Sequence, residues 1–237
     1  MSAEPAATSA VPAACAECPV RDEAICAVLD PAALDRLARA GRHRRVARGE
    51  TIFAAGDDSI VCATLVEGAA KLSLTDAAGI ERIVALVHPA GMLGRLFAPQ
   101  MRYDAVALTD SRLCVFARAE FETLMADEPA LVRAVLDRTL ADLDAARELA
   151  DLIGRREARG RVAGLLLAFA RAAGPGCHPL VCFDLPLSRG EIAGLTGLTI
   201  ETVSRQFSAL EAAGLVRRIG ARGIELVDPA RLRSLTA

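Results

Sequence analysis

The stretch Leu187 to Val216, LSRGEIAGLTGLTIETVSRQFSALEAAGLV, decides how the rest of this chain is read. Ser188 with Glu191 three residues on is a capping box, so a helix starts there. Ile192, Ala193 and Leu195 supply its buried side. Gly197 ends it where a tight turn is needed. Thr199 is a good N-cap for a second helix, and Gly214 is a good residue to stop it. In that second helix Ile200, Val203, Phe207 and Leu210 follow helical spacing and are expected to point inward. Two short helices joined by a glycine turn make a helix-turn-helix.

Glu201, Ser204 and Arg205 sit at i, i+3 and i+4 and therefore share the outward face of the second helix. Arginine forks onto O6 and N7 of guanine, a carboxylate accepts from cytosine N4, and serine adapts to several bases. The same E-x-x-S-R on an ordinary helix would be a surface ion pair worth little. Its place in the first turns of the second helix of a helix-turn-helix favours the other reading, because those side chains reach the major groove.

The run LSRGEIAGLTGLTIETVSR resembles the DNA-binding signature of the CRP/FNR family of bacterial transcription regulators. The E-x-x-S-R form resembles the FNR branch, which reads TTGAT-type half-sites. The cyclic-AMP receptor branch instead carries an arginine at or beside Val203. The resemblance extends from about Cys15 to the C-terminus. It implies double-stranded DNA with a TTGAT-type palindrome, a homodimer and RNA polymerase as partners. It also implies Ser188, Arg189, Thr199, Glu201, Ser204, Arg205 and Gln206 as the DNA-binding set.

Charge is divided unevenly. From Arg155 onward there are 12 arginines and seven acids, a net +5, whereas residues 1–154 carry 16 basic and 23 acidic side chains, a net −7. A basic C-terminal part fits nucleic-acid binding at that end, and the near-neutral total of −2 does not oppose it. No secretory leader is visible, and no apolar run approaches the roughly 20 residues a membrane helix needs, so the expected location is cytoplasmic with no membrane contact.

The fold class expected is α+β, in four parts. Residues 1–30 form a cysteine-bearing loop, with Met1 to Ala14 expected to be disordered. Residues 31–128 begin with a helix, Ala32 to Ala40, and continue from about Val46 as short strands with glycine turns. The strands are Thr51 to Phe53, Cys62 to Val66, Ala70 to Leu74, Ile80 to Val87, Tyr103 to Leu108 and Arg112 to Phe116. This spacing indicates an antiparallel roll, and the resemblance makes it a cyclic-nucleotide-binding-like β-roll, through AAGD, LVEGAAKL and HPAGMLGRLF. Arg118 to Ala126 is a short helix. Residues 129–154 are one long helix opened by Pro129. Leu136, Leu140, Leu143 and Ala150 form a stripe that calls for a second partner surface, and the resemblance implies the matching helix of another subunit. Residues 155–237 hold a helix from Glu157 to Ala172, a short strand at Phe183 to Pro186, the helix-turn-helix, and a hairpin wing of Val216 to Ile219 with Ile224 to Val227. Arg217, Arg218 and Arg222 are candidates for phosphates there.

Seven cysteines in a chain of this kind point to metal, redox chemistry or plain burial. Cys15 and Cys18 form C-x2-C, and Cys26 follows after seven more residues. Such a group suits an iron–sulfur cluster or zinc equally. Cys114, in RLCVFAR, reads by itself as a small core residue. The FNR resemblance implies more: Cys15, Cys18, Cys26 and Cys114 as ligands of a 4Fe-4S iron–sulfur cluster, with a spacing like that of α-proteobacterial FNR-like proteins. Cys62 reads as core. Cys177 and Cys182 flank a loop with His178 that lacks a clear fourth ligand. His43 and His88 belong to no haem motif. No nucleophile–base arrangement stands out, so no enzyme is expected. The acid and Arg-Ser pair of nucleotide-binding rolls are missing from GMLGRLFAPQ, although Arg95 is present. The expected function is thus an oxygen-sensing, DNA-binding transcription regulator. The alternatives are a cluster-free FixK-like activator and a small-molecule-sensing CRP-like regulator.

Overall fold

The computed structural model describes residues 11–154, 157–172 and 181–236. Cys177 and His178 therefore lie outside the described residues. Two compact units are present, Met1–Leu72 with Leu86–Asp142, and Ser73–Ala85 with Leu143–Ala237.

The first unit opens with a single helical turn, α1 (Ala13–Ala16), and a 3-10 turn at Ile25–Val28. Disorder was expected to reach Ala14, but the helical turn already begins at Ala13. In α2 (Pro31–Ala40) the Asp30 side chain accepts from the Ala33 N–H at 2.8 Å, which caps the helix, while Leu34 and Leu37 are buried. Eight strands follow in the chain, the end of β4 and most of β5 falling in Ser73–Ala85: β1 (Gly41–Val46), β2 (Thr51–Phe53), β3 (Val61–Glu67), β4 (Ala70–Thr75), β5 (Glu81–Val87), β6 (Met92–Leu93), β7 (Asp104–Ala107) and β8 (Ser111–Ala117). They form two sheets in the orders β1-β8-β3-β6 and β2-β7-β4-β5. Inward residues of both sheets, including Ile52, Ala63, Leu65, Ala107, Leu113 and Val115, make one core, so the sheets pack face to face as the sequence pattern indicates. Strand β1 was not anticipated. Its sequence, GRHRRV, has one buried apolar side chain, Val46, and it lies on the sheet edge, where a polar strand is tolerated.

Alternation along β8 creates a second, outer core. Leu113 and Val115 point into the roll, so Cys114 and Phe116 point away from it. Phe116 packs with Ile25, Leu37, Phe121, Leu124 and Met125, and α3 (Arg118–Asp127) thereby covers the outside of the first sheet. The start of α4 (Pro129–Gly154) joins this core through Leu131, Ala134 and Val135. Its other side is bare: Val132 is 44 %, Leu136 55 %, Leu140 50 % and Leu143 44 % exposed. Those four step by three or four residues and lie on one stripe, displaced around the helix from Leu131 and Val135.

In the second unit α5 (Ala158–Ala172) approaches the end of α4 closely. A Cβ on Gly164 would stand 2.7 Å from Leu152 Cδ1, so a larger residue there would make the leucine side chain shift. Strand β9 (Val181–Asp184) completes a three-stranded sheet, β10-β11-β9, with β10 (Val216–Ile219) and β11 (Gly223–Leu226). Helices α6 (Arg189–Thr196) and α7 (Ile200–Ala212) lie between β9 and β10 in the chain. A last short helix, α8 (Pro229–Ser234), was not anticipated; Asp228 caps it from its side chain, and Leu232 fixes it by burial. Among the described residues, no helix is long and apolar enough to cross a membrane.

The two sides of α4 should differ in what they contribute to a single chain. Leu131→Ala removes a fully buried side chain and is expected to cost about 2–5 kcal/mol in urea unfolding of the dissociated chain. Leu136→Ala, at an exposed site, is expected to cost less than about 1 kcal/mol there. Equal losses would mean that α4 packs by a different face.

Candidate nucleic-acid interface and metal centre

Local rules set the position of α7. Ser188 Oγ accepts from the Glu191 N–H at 3.2 Å, and Glu191 Oε2 accepts from the Ser188 N–H at 2.8 Å, closing the capping box. Gly197 ends α6 at φ 64°, a conformation that other side chains rarely adopt. Thr199 Oγ1 accepts from the Thr202 N–H at 3.2 Å and so caps α7. Val203, Phe207 and Leu210 are buried as expected, and Gly214 follows the helix at φ 68°. Ile200 departs from expectation at 52 % exposed. It is the first residue of α7, where no further turn covers it, and its Cδ1 reaches toward Gly190 instead.

Glu201, Ser204 and Arg205 are all exposed on one face, with Gln206 partly covered beside them. Glu201 and Arg205 form no ion pair with each other. Arg205 Nη2 donates to Thr202 Oγ1 at 3.2 Å. The Glu201 carboxyl is held below the usual carboxylate range by a hydrogen bond from its own backbone N–H and by the Thr199 side chain. Two functional groups are thus left facing outward, one acceptor and one fork of donors.

Arg189, expected in the DNA-binding set, packs within the unit instead. Its guanidinium lies 3.3 Å from the centroid of the Phe207 ring, pinning α6 to α7. Burial first, and then the nearby Arg218, lower its pKa from the usual arginine value. Ser188 and Thr199 are likewise engaged as caps. In the wing, Arg217 Nε lies 3.2 Å from Glu225 Oε2, Arg218 pairs with Glu211 at 2.7 Å, and the Arg222 side chain is exposed.

The first unit holds the second candidate site. Cys15, Cys18, Cys26 and Cys114 line a single, almost wholly apolar cavity beside the outer face of the first sheet. Strand pairing explains the place of Cys114: it lies directly between His43 on β1 and Thr64 on β3, and both also line the cavity. Val20, Ala24 and Val66 complete an apolar wall against Cys18, Cys26 and Cys114. Burial, and then the Cys15, Cys26 and Cys18 sulfurs, push the Cys114 thiol up to about 12. Burial and the same neighbours push Cys26 up to about 11, and Cys15 is raised as well. Among the described residues, no three His, Cys, Asp or Glu side chains are gathered closely enough to hold one metal ion.

The donor set is chemically uniform. Four soft sulfur donors line one apolar space, which suits iron–sulfur chemistry. Cys62 faces the same outer core but does not line the cavity, and burial with Glu122 nearby pushes its thiol up to about 12. Cys182 is exposed on β9. Arg21, His43 and Thr64 were missed as lining residues. Only strand register could have shown the two β-sheet residues, and β1 was not anticipated.

Comparison with known proteins follows the same division. Residues 43–128 match the cyclic nucleotide-binding domain and residues 160–235 the Crp-like helix-turn-helix domain. The chain is 38 % identical to the transcriptional activator protein FnrL of Cereibacter sphaeroides, over 92 % of this chain and 90 % of FnrL. It is 35 % identical to the nitrogen fixation regulation protein FixK of Bradyrhizobium diazoefficiens, over 94 % of each chain. Its fold is similar to that of FixK2 from Bradyrhizobium japonicum, with a TM-score of 0.76 and 28 % identity, over 83 % of this chain and 98 % of that one.

The thiol environments have a direct chemical consequence. In metal-free protein at pH 8, Cys182 is expected to be alkylated well before Cys26, Cys62 and Cys114, because raised pKa values leave those three as unreactive thiols. Mass mapping of a timed iodoacetamide reaction measures the order. Equal rates at all four would show that the cavity is open.

Proposed function

We propose, from the fact that this chain belongs to the CRP/FNR family of transcription regulators, that it is a homodimeric transcription activator controlled by a 4Fe-4S cluster on Cys15, Cys18, Cys26 and Cys114. The observation that carries the cluster reading is that these four cysteines, from two separate segments of the chain, line one apolar cavity. When bound there, a four-iron cluster supplies a centre that oxygen degrades.

The chain's own residues account for the rest. Cys26 and Cys114 belong to the same packed core as Leu131, Ala134 and Val135. A change in spacing among the thiols therefore moves the buried side of α4, because packed cores do not deform smoothly. The other side of α4 carries the exposed stripe that a second subunit would cover. Moving a dimer equilibrium from 1:99 to 99:1 takes about 5.5 kcal/mol, which the loss of several metal–thiolate bonds can supply. A dimer then sets two α7 helices about one DNA turn apart, matching a TTGAT-type palindrome. Arg205 reads the guanine, Glu201 accepts from the paired cytosine, and Ser204 adjoins a thymine. RNA polymerase is the downstream partner. The similarity to FixK proteins gives the competing reading, an activator without a cluster, and iron analysis separates the two.

Protein purified without oxygen is expected to be brown and to hold about four irons per chain. Cys114→Ser and Cys18→Ser should each remove the colour, and Cys62→Ser should keep it. Full iron in the Cys114 variant would overturn the ligand assignment.

For DNA, Arg205→Ala is expected to lose about 1–3 kcal/mol on a TTGAT palindrome and little on random sequence. Arg222→Ala should weaken both alike and lower the salt dependence of binding, as a phosphate contact does. Titrations on the two DNAs at two salt concentrations measure this. An equal loss for Arg205→Ala on both DNAs would make it a backbone contact.

A further inference from the structure

The guanidinium of Arg205 is tied to the start of its own helix through two threonines. Arg205 Nη2 donates to Thr202 Oγ1 at 3.2 Å. The Thr202 and Thr199 hydroxyls are hydrogen-bonded to each other at 3.1 Å, and Thr199 Oγ1 also accepts from the Thr202 N–H at 3.2 Å. Elsewhere a threonine hydroxyl in a helix turns back onto the carbonyl four residues before it, as those of Thr123, Thr139 and Thr196 do. Thr202 is the third residue of α7, so the residue four before it, Leu198, lies outside the helix. Its hydroxyl is thereby left to the cap on one side and to the arginine on the other.

We propose that Thr202 is a specificity-determining positioning residue: it touches no base, and its hydroxyl holds the Arg205 guanidinium in the pose that meets guanine. This rests on the reading of Arg205 as the guanine contact. A long arginine side chain loses conformational freedom when it docks, and that loss opposes binding. A hydrogen bond that already orders it in the free protein removes part of the loss. The guanidinium has donors enough for both tasks. One N–H is taken by Thr202, and others remain to fork onto O6 and N7.

Thr202 suits this task because it is itself fixed. It is β-branched and stiff about χ1, half-buried beside Val203, and bonded to the Thr199 cap. The Thr199 side chain also hydrogen-bonds the Glu201 carboxyl, so the cap that starts α7 reaches both base-reading groups. Discrimination gains more from the tether than affinity does. An untethered arginine still finds a phosphate on any DNA, whereas a forked contact on one base demands a set position and plane.

The test uses full-length protein prepared without oxygen, as wild type, Thr202→Val, Thr202→Ala and Thr202→Ser, each also combined with Arg205→Ala. Binding is titrated on a TTGAT palindrome, a guanine-substituted palindrome and random duplex at two salt concentrations. Valine and alanine both lack the hydroxyl, and alanine favours a helix, so a loss shared by the two is not a defect of α7. Both are expected to lose about fivefold in affinity per half-site on the TTGAT palindrome, the size of one hydrogen bond. On the other two DNAs they should change by less than about twofold. Thr202→Ser keeps the hydroxyl and should stay within about twofold of wild type on all three. In the Arg205→Ala background, replacing Thr202 should change binding by less than about twofold, because the hydroxyl has nothing left to hold. An equal loss on all three DNAs with a weaker salt dependence would make Thr202 a phosphate contact and overturn the proposal. A loss of the same size with and without Arg205 would overturn it as well. If Arg205→Ala alone kept full discrimination, the guanine reading itself would fall, and the positioning role with it.

Discussion

The pleat of β8 is the constraint on which the rest of the first unit depends. Successive side chains on a strand face opposite ways, so burying Leu113 and Val115 in the roll obliges Cys114 and Phe116 to face outward. Phe116 then anchors α3 and the N-terminal turns, and Cys114 meets the three cysteines those turns carry. A shift of one residue in register would put Cys114 inside the roll and dissolve the cavity. The strong burial of both flanking residues, 0 % exposed for Leu113 and 5 % for Val115, guards against that slip.

The second unit rests on a different device, namely caps. The Ser188–Glu191 box and the Thr199 cap define where α6 and α7 begin, and the left-handed Gly197 sets the turn between them. The Arg189 guanidinium on the Phe207 ring then locks the pair. The result is that Glu201, Ser204 and Arg205 emerge on one face with no partner in each other. A charged pair that satisfied itself would have less to offer a base edge.

Much of this was legible in the sequence because its signals are local. Capping residues, glycine turns and the two-residue alternation of Thr51 to Phe53 or Arg112 to Phe116 each act within a few positions. What escaped depends on tertiary neighbours. Strand β1 reads as polar because an edge strand with one inward face needs few apolar residues. Ile200 fits the helical stripe yet lies beyond the end of its packing partner. Arg189 looks like one more basic side chain until Phe207 is placed beneath it. The four cysteines could be grouped from sequence only through family resemblance, since Cys114 is about 90 residues from the others and its outward orientation follows from strand pairing.

Cys26 and Cys114 share the outer core with Leu131, Ala134 and Val135 of α4 within the first unit, and in the proposed function the state of the thiols governs association. Sedimentation velocity of the protein, prepared without oxygen and then exposed to air, tests this most directly. Brown protein is expected to sediment as a dimer of the 24.9 kDa chain and bleached protein to move toward the single chain. An association state that is the same before and after bleaching would contradict the claim.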